Sequence, residues 1–302
     1  MARPQTAIIP DHCKAGIFIE ADIHAGQTAQ IKAACRSALA ALSDLQTQFP
    51  DASLGLSIAF GSSFWQTLNH AQEGREIKPF RALGNGLAPA TQHDVMIHIQ
   101  SMRQDLNFAL AERVLAAFGG SISVQSETHG LRLLENRGTD GFVDGTENPQ
   151  GDDNVRQVGI IADGQPDAGG SYVLLQKYRH NLKKWQGIGI PDQEADVGRS
   201  KAANEEFSRD VRLTDSHLGR VNLKENGVGL KIVRRSLPYG TVSGENGLMF
   251  ISYCHTLHNI EAQLLSMFGE TDGQTDRLLA HLSTAVSGAY YYAPSAERLG
   301  DL

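Results

Sequence analysis

Two long helical stretches, Gln27–Leu45 and Met102–Phe118, each lie between short apolar segments with the character of strands. In the first, Ile31, Ala34, Cys35, Ala38, Leu42 and Leu45 recur at three- and four-residue spacing, which puts them on one helical face. The flanking segments Ala15–Ile23, Leu54–Phe60, Val95–Gln100 and Ser121–Ser126 are too short for such a face and rich in strand formers. The second half repeats the scheme. Tyr172–Tyr178, Gly229–Ser236 and Gly247–Cys254 read as strands, and Ser200–Arg209, Asn259–Phe268 and Gln274–Ser283 as helices. Runs of strand, helix and strand, twice over, define an α+β chain of antiparallel sheets with helices on one face. The boundary between the halves is expected in Asn148–Asp167, a stretch rich in Gly, Asp, Asn and Pro, giving units 1–150 and 151–302.

The 302 residues are 41% hydrophobic and 20% charged, as in an ordinary globular protein. A net charge of -7 argues against nucleic acid or an anionic membrane as partner. No apolar run reaches the ~18 residues of a membrane span, and Met1–Gln5 has no leader character. Three scattered cysteines, Cys13, Cys35 and Cys254, fit a reducing compartment, so a cytoplasmic location is expected.

The chemistry concentrates in Gly141-Phe142-Val143-Asp144-Gly145-Thr146-Glu147-Asn148-Pro149. Phe142 and Val143 favour burial and draw Asp144 inward, while Gly141 and Gly145 permit unusual dihedrals or a close approach to a bulky group. By local chemistry Asp144 is either a perturbed acid–base group or the Asx-turn residue after a strand. Further on stand His217, in Asp215-Ser216-His217-Leu218-Gly219-Arg220, and Arg234, in Val233-Arg234-Arg235-Ser236-Leu237-Pro238-Tyr239-Gly240. Pro238 and Gly240 are expected to end that strand. Strand alternation sends Arg234 and Arg235 to opposite faces.

The wording of the first motif resembles the signature of the dye-decolorizing peroxidases, a family of haem enzymes. The resemblance extends to Ala59–Trp65, Pro89–Ile99, Gly170–Tyr178 and Ser283–Ser295, in order and spacing. It implies two ferredoxin-like halves with facing antiparallel sheets and peripheral helices, of the dimeric α+β barrel type, the second half holding one haem b per chain. It makes His217 the iron's axial ligand, Asp144 the distal acid–base group and Arg234 the distal cation. It places Gly145, Thr146, Glu147 and Ser236 against the cofactor, and Asp276 as an acceptor for the ligand imidazole or, alternatively, as a helix cap. Arg235 is expected to be solvated or salt-bridged.

The implied activity is reduction of hydrogen peroxide and one-electron oxidation of dyes, phenolics or similar donors through a ferryl intermediate, with an acidic pH optimum. Bulky donors would react at surface Trp or Tyr, with Trp65, Trp185, Tyr239 and Tyr290 to Tyr292 as candidates. A haem-handling role, in storage, transfer or iron release, is the alternative that the same His217 would serve. A homo-oligomer, dimer favoured, is implied by the family alone. Loading into an encapsulating shell is not expected, because the chain ends soon after the closing motif. His255-x-x-His258 lacks a third ligand nearby and reads as a cap or loop feature. Arg75–Arg81 reads as a solvated loop.

Overall fold

The computed structural model describes residues 2–302. The first half comprises β1 (Ala15–Ile23), α1 (Thr28–Gln48), β2 (Gly55–Phe60), α2 (Ser62–Thr67), β3 (Val95–Ser101), α3 (Gln104–Phe118) and β4 (Ile122–Leu131). A short helix, α4 (Asp152–Gly159), leads to β5 (Ser171–His180), α5 (Leu182–Gln186), α6 (Ile190–Val197) and α7 (His217–Val221). After these come β6 (Lys224–Glu225), β7 (Val228–Gly229), β8 (Val233–Arg234), β9 (Leu237–Gly240) and β10 (Asn246–Cys254). Last are α8 (Leu257–Met267), α9 (Arg277–His281), β11 (Ser283–Ala285), β12 (Ala289–Ala293) and α10 (Ala296–Gly300).

Strands of the first half lie in the order β2-β3-β1-β4, and those of the second in the order β12-β5-β10-β9. Each is the ferredoxin-like order. The two sheets also meet at both edges, through Gly130↔Tyr239 between β4 and β9 and Tyr292↔Phe60 between β12 and β2. Eight antiparallel strands therefore close into a barrel. Both faces of β1 are covered: Ile17 and Ile19 join the core formed with α1 and α3, whereas Phe18 points into the barrel with Met96, Leu175, Leu237 and Ile251. That double burial explains why β1 reads as a nearly continuous apolar run.

Three expectations fail here. Ser200–Arg209 is irregular: Asn204 adopts φ 59 and Arg199 bridges to Glu206, so the chain turns back instead of coiling. The strand expected over Gly229–Ser236 is broken into β7 and β8, and Pro238 lies inside β9, which Gly240 ends. A proline is tolerated there because β9 meets β4 at one register pair only. Arg235 is neither solvated nor salt-bridged but buried, and donates to the carbonyls of Ile8, Ile9 and Arg234. It does lie opposite Arg234, but in a closed barrel that opposite face is interior. The Arg75–Arg81 segment is the expected loop with exposed charges, which pair with the second half: Lys78 and Arg81 with Glu261 and Glu270, and Glu76 accepting from Thr256 and Leu257.

Inside the barrel, His98 is fully buried, stacks on Phe18 at 4.8 Å and bonds Tyr253 Oη through Nδ1 at 2.8 Å. Burial, with a smaller contribution from Arg235, pushes its pKa from 6.5 down to about 3. The unfolded chain thus binds a proton that the folded chain refuses. Stability is expected to be full above pH 6.5 and to fall as pH drops toward 3, by roughly 2–3 kcal/mol near pH 4.5. Buried Glu20, whose pKa is raised, acts in the opposite sense, so the comparison is urea unfolding of wild type against His98→Gln at both pH values. Equal acid losses in the two proteins would remove His98 as the cause.

Candidate haem site

A deep cavity lies outside the barrel, between the second sheet and the helices that cover it. Leu174 and Tyr178 of β5, Leu248 and Phe250 of β10, and Ile260, Leu264 and Met267 of α8 make an apolar slot. Polar groups from the signature loop, α7 and β8 complete its lining.

One of these is His217, the first residue of α7. Ser216 caps that helix by accepting from the Gly219 amide, which aims the imidazole at the cavity wall. His217 Nδ1 lies 2.6 Å from Asp276 Oδ2, and Asp276 is completely buried. The other oxygen of Asp276 accepts from the Leu278 amide at 2.9 Å, so this carboxylate is both imidazole partner and N-cap of α9. The two readings of Asp276 are not exclusive. With Nδ1 taken, Nε2 is the ring nitrogen without a protein partner.

The signature loop supplies further polar lining. Phe142 is buried with Trp185, Val197 and Leu282, as its apolar character requires. Gly145 takes φ 89, a value an L side chain would resist, and the turn leaves Asp144 and Gly145 on the cavity wall. The Asp144 amide donates to the Asn136 carbonyl at 2.8 Å. Arg234 also lines the cavity, and Asn148 grips its backbone twice: Nδ2 donates to the Arg234 carbonyl at 2.8 Å and Oδ1 accepts from its amide at 2.9 Å. The loop carrying Asp144 and the strand carrying Arg234 are thereby joined as one unit.

The remaining expected residues all line the cavity, and each is engaged by protein. Thr146 Oγ1 accepts from Asn204 at 2.9 Å, and Glu147 pairs with Arg199 at 2.8 Å and Lys231 at 3.7 Å. Ser236 bonds the backbone of Ile251 on β10. Asn148, Arg199 and Asn204 were not foreseen as site residues. Asn148 lies in the motif itself, but Arg199 and Asn204 carry no local signal. Asp140 is a further surprise: burial, reinforced by the nearby Asp144 charge, pushes its carboxyl up to about 6, although the Phe142 amide donates to it. His180, hydrogen-bonded to Thr139, is pushed down to about 4 by burial.

The expected surface relays are mostly interior. Trp65, Trp185 and Tyr290 to Tyr292 are buried; Tyr239 alone of that set is partly exposed. His255 and His258 serve local contacts, with the Val158 carbonyl and Glu225 respectively, and no cluster of three metal-binding side chains occurs among the described residues.

A closed α+β barrel carrying an imidazole–carboxylate pair, an Asp and an Arg on the lining of one apolar cavity fits an oxidoreductase of the peroxidase class. Residues 5–132 match the family model described as Dyp-type peroxidase, N-terminal, and residues 135–298 the one described as Dyp-type peroxidase, C-terminal. The chain belongs to the Dyp-type peroxidase family. Its relatives include the dye-decolorizing peroxidase of Mycolicibacterium paratuberculosis, 35% identical over 99% of this chain and 85% of that protein. The dye-decolorizing peroxidase of Mycobacterium tuberculosis is 34% identical over 98% and 89%. Among solved structures, the dye-decolorizing protein of Vibrio cholerae is 40% identical with a TM-score of 0.92, over 98% of this chain and 99% of the other. A Rhodococcus jostii DypB variant in complex with heme is 30% identical with a TM-score of 0.91, over 99% and 98%. No helix among the described residues is long and apolar enough to cross a membrane.

Proposed function

We propose that haem b would fill the slot, its iron held by His217 Nε2, and that the chain reduces hydrogen peroxide at the expense of small one-electron donors such as dyes and phenolics. The observation that carries this reading is the His217–Asp276 bond of 2.6 Å, which leaves one ring nitrogen free on the wall of an apolar slot. The donor set fits an iron porphyrin: flat apolar walls suit the macrocycle, and an imidazole fixed by a buried carboxylate is a basic, oriented ligand. Haem supplies iron that binds peroxide and stores its oxidising equivalents.

The protein's part in that chemistry is proton handling, charge and exclusion. Asp144, ionised, takes the proton from one peroxide oxygen and returns it to the other, which leaves as water. Arg234 stabilises negative charge on the departing oxygen. Gly145, Thr146, Glu147 and Ser236 shape the wall around these two groups. Asn148 keeps Asp144 and Arg234 in register. A haem carrier would have no use for that distal pair.

The same proposal carries a division of the halves near residue 150, a homodimer, and a cytoplasmic setting, which the free, buried Cys13, Cys35 and Cys254 support. Titrating haem into haem-free protein is expected to give a Soret band saturating at one per chain. His217→Ala is expected to bind haem more weakly and to lose the histidine-ligated spectrum. An unaltered spectrum and affinity in that variant would move the ligand elsewhere.

A further inference from the structure

At the C-terminal end of α6, the four residues Asp196 to Arg199 contact both the helix that supports His217 and the signature loop. Asp196, completely buried, accepts from Arg277 Nε at 2.5 Å and from His281 Nδ1 at 2.6 Å. Both donors lie on α9, the helix whose cap Asp276 holds His217. Val197 lies on the cavity wall against Phe142. Gly198 adopts φ 91, and a Cβ there would stand 3.0 Å from Ser216 Oγ, the hydroxyl that caps the helix of His217. Arg199, almost fully buried, donates to Glu147 at 2.8 Å and to the Asn204 side chain at 2.5 Å, while Asn204 in turn donates to Thr146.

We infer that Asp196 and Arg199 are positioning residues forming one tie between the two faces of the site: Asp196 anchors the support of His217, and Arg199 anchors the loop of Asp144. Four residues of extended or turning chain reach at most ~14 Å, so movement at one anchor is delivered to the other. A buried carboxylate shared by two donors resists displacement, because releasing either donor leaves a charge unpaired. The inference rests on His217 being the iron ligand. Its consequence is that the proximal and distal faces respond together, as coupled sites do.

Two variants and two readouts test it. In haem-free protein, Arg199→Ala and Asp196→Asn are both expected to speed amide hydrogen exchange at Asp144 and Asn148, by about fivefold. In haem-loaded protein both are expected to shift the iron–histidine stretching band in resonance Raman spectra and to weaken cyanide binding, again by about fivefold. Arg199→Lys, which keeps a cation for Glu147, should restore all three. If Arg199→Ala loosens the loop but leaves the iron–histidine band in place, the two anchors are independent and the tie is wrong. A wild type with no iron–histidine band would instead overturn the placement of haem on His217, and the haem-free exchange result would still stand for or against the tie.

Discussion

Asp144→Asn is expected to slow the reaction with hydrogen peroxide by roughly 10²- to 10⁴-fold, the usual worth of a positioned general base. Asparagine keeps the shape and the Asn136 backbone contact of this position, so the loss would report proton transfer and not the fold. Stopped-flow mixing of haem-loaded protein with peroxide gives the rate directly. A variant within a fewfold of wild type would pass the role to another group, and Asp140, also on the cavity wall, is a carboxyl candidate. Asp140 also sets a pH dependence. Its pKa is raised to about 6, chiefly by burial. It is therefore neutral below that pH, and above it becomes a second anion beside Asp144. That added anion on the cavity wall disfavours the negative charge that develops on the departing oxygen. Turnover is expected to decline as pH rises through about 6, and Asp140→Asn should flatten the decline. A rate climbing steadily across this range in wild type would contradict both the base and the pH argument.

Arg234→Leu is expected to cost about 10²- to 10³-fold in the same measurement, as for removal of a preorganised donor to developing negative charge. Leucine roughly retains the bulk of the side chain's stem, and the Asn148 bonds are to the backbone of residue 234, so the loop should stay in place. Arg234→Lys provides the contrast: a point charge without the planar fork should recover part of the rate. If Leu and Lys variants both match wild type, the cation at this wall stabilises something other than the departing oxygen.

Much of this site was legible in the chain because short-range chemistry encodes it. Phe142 and Val143 beside Asp144 mark a turn pulled inward, and the α1 and α3 stripes fall at helical spacing in the structure as in the sequence. Resemblance supplied what local pattern could not, namely the pairing of Asp144 with His217 and Arg234 across the chain. Other features were illegible for identifiable reasons. Arg235 looked like a surface residue because alternation gives opposite faces without saying whether either meets water, and only barrel closure makes the second face interior. Ser200–Arg209 has a composition that suits a helix, yet Arg199 and Asn204 find partners in Thr146 and Glu147, more than fifty positions away. Such tertiary hydrogen bonds outweigh the few tenths of a kcal/mol per residue that separate helix formers. Asp140 gave no sign of its raised pKa, since that depends on the cover placed over it by the fold.

Closure of the barrel bears on how the two halves could have arisen and diverged. Each seam is reciprocal: β4 of the first half meets β9 of the second, and β12 of the second meets β2 of the first. A half on its own would present two bare edges, the same template that drives strands of separate chains together. In the present chain the two pairs of edges satisfy each other inside one polypeptide. Neither is free to drift: a register slip at either seam would shift the second sheet, whose β5 and β10 wall the cavity. Substitutions in the seam strands are thus constrained by chemistry taking place on the far side of the sheet.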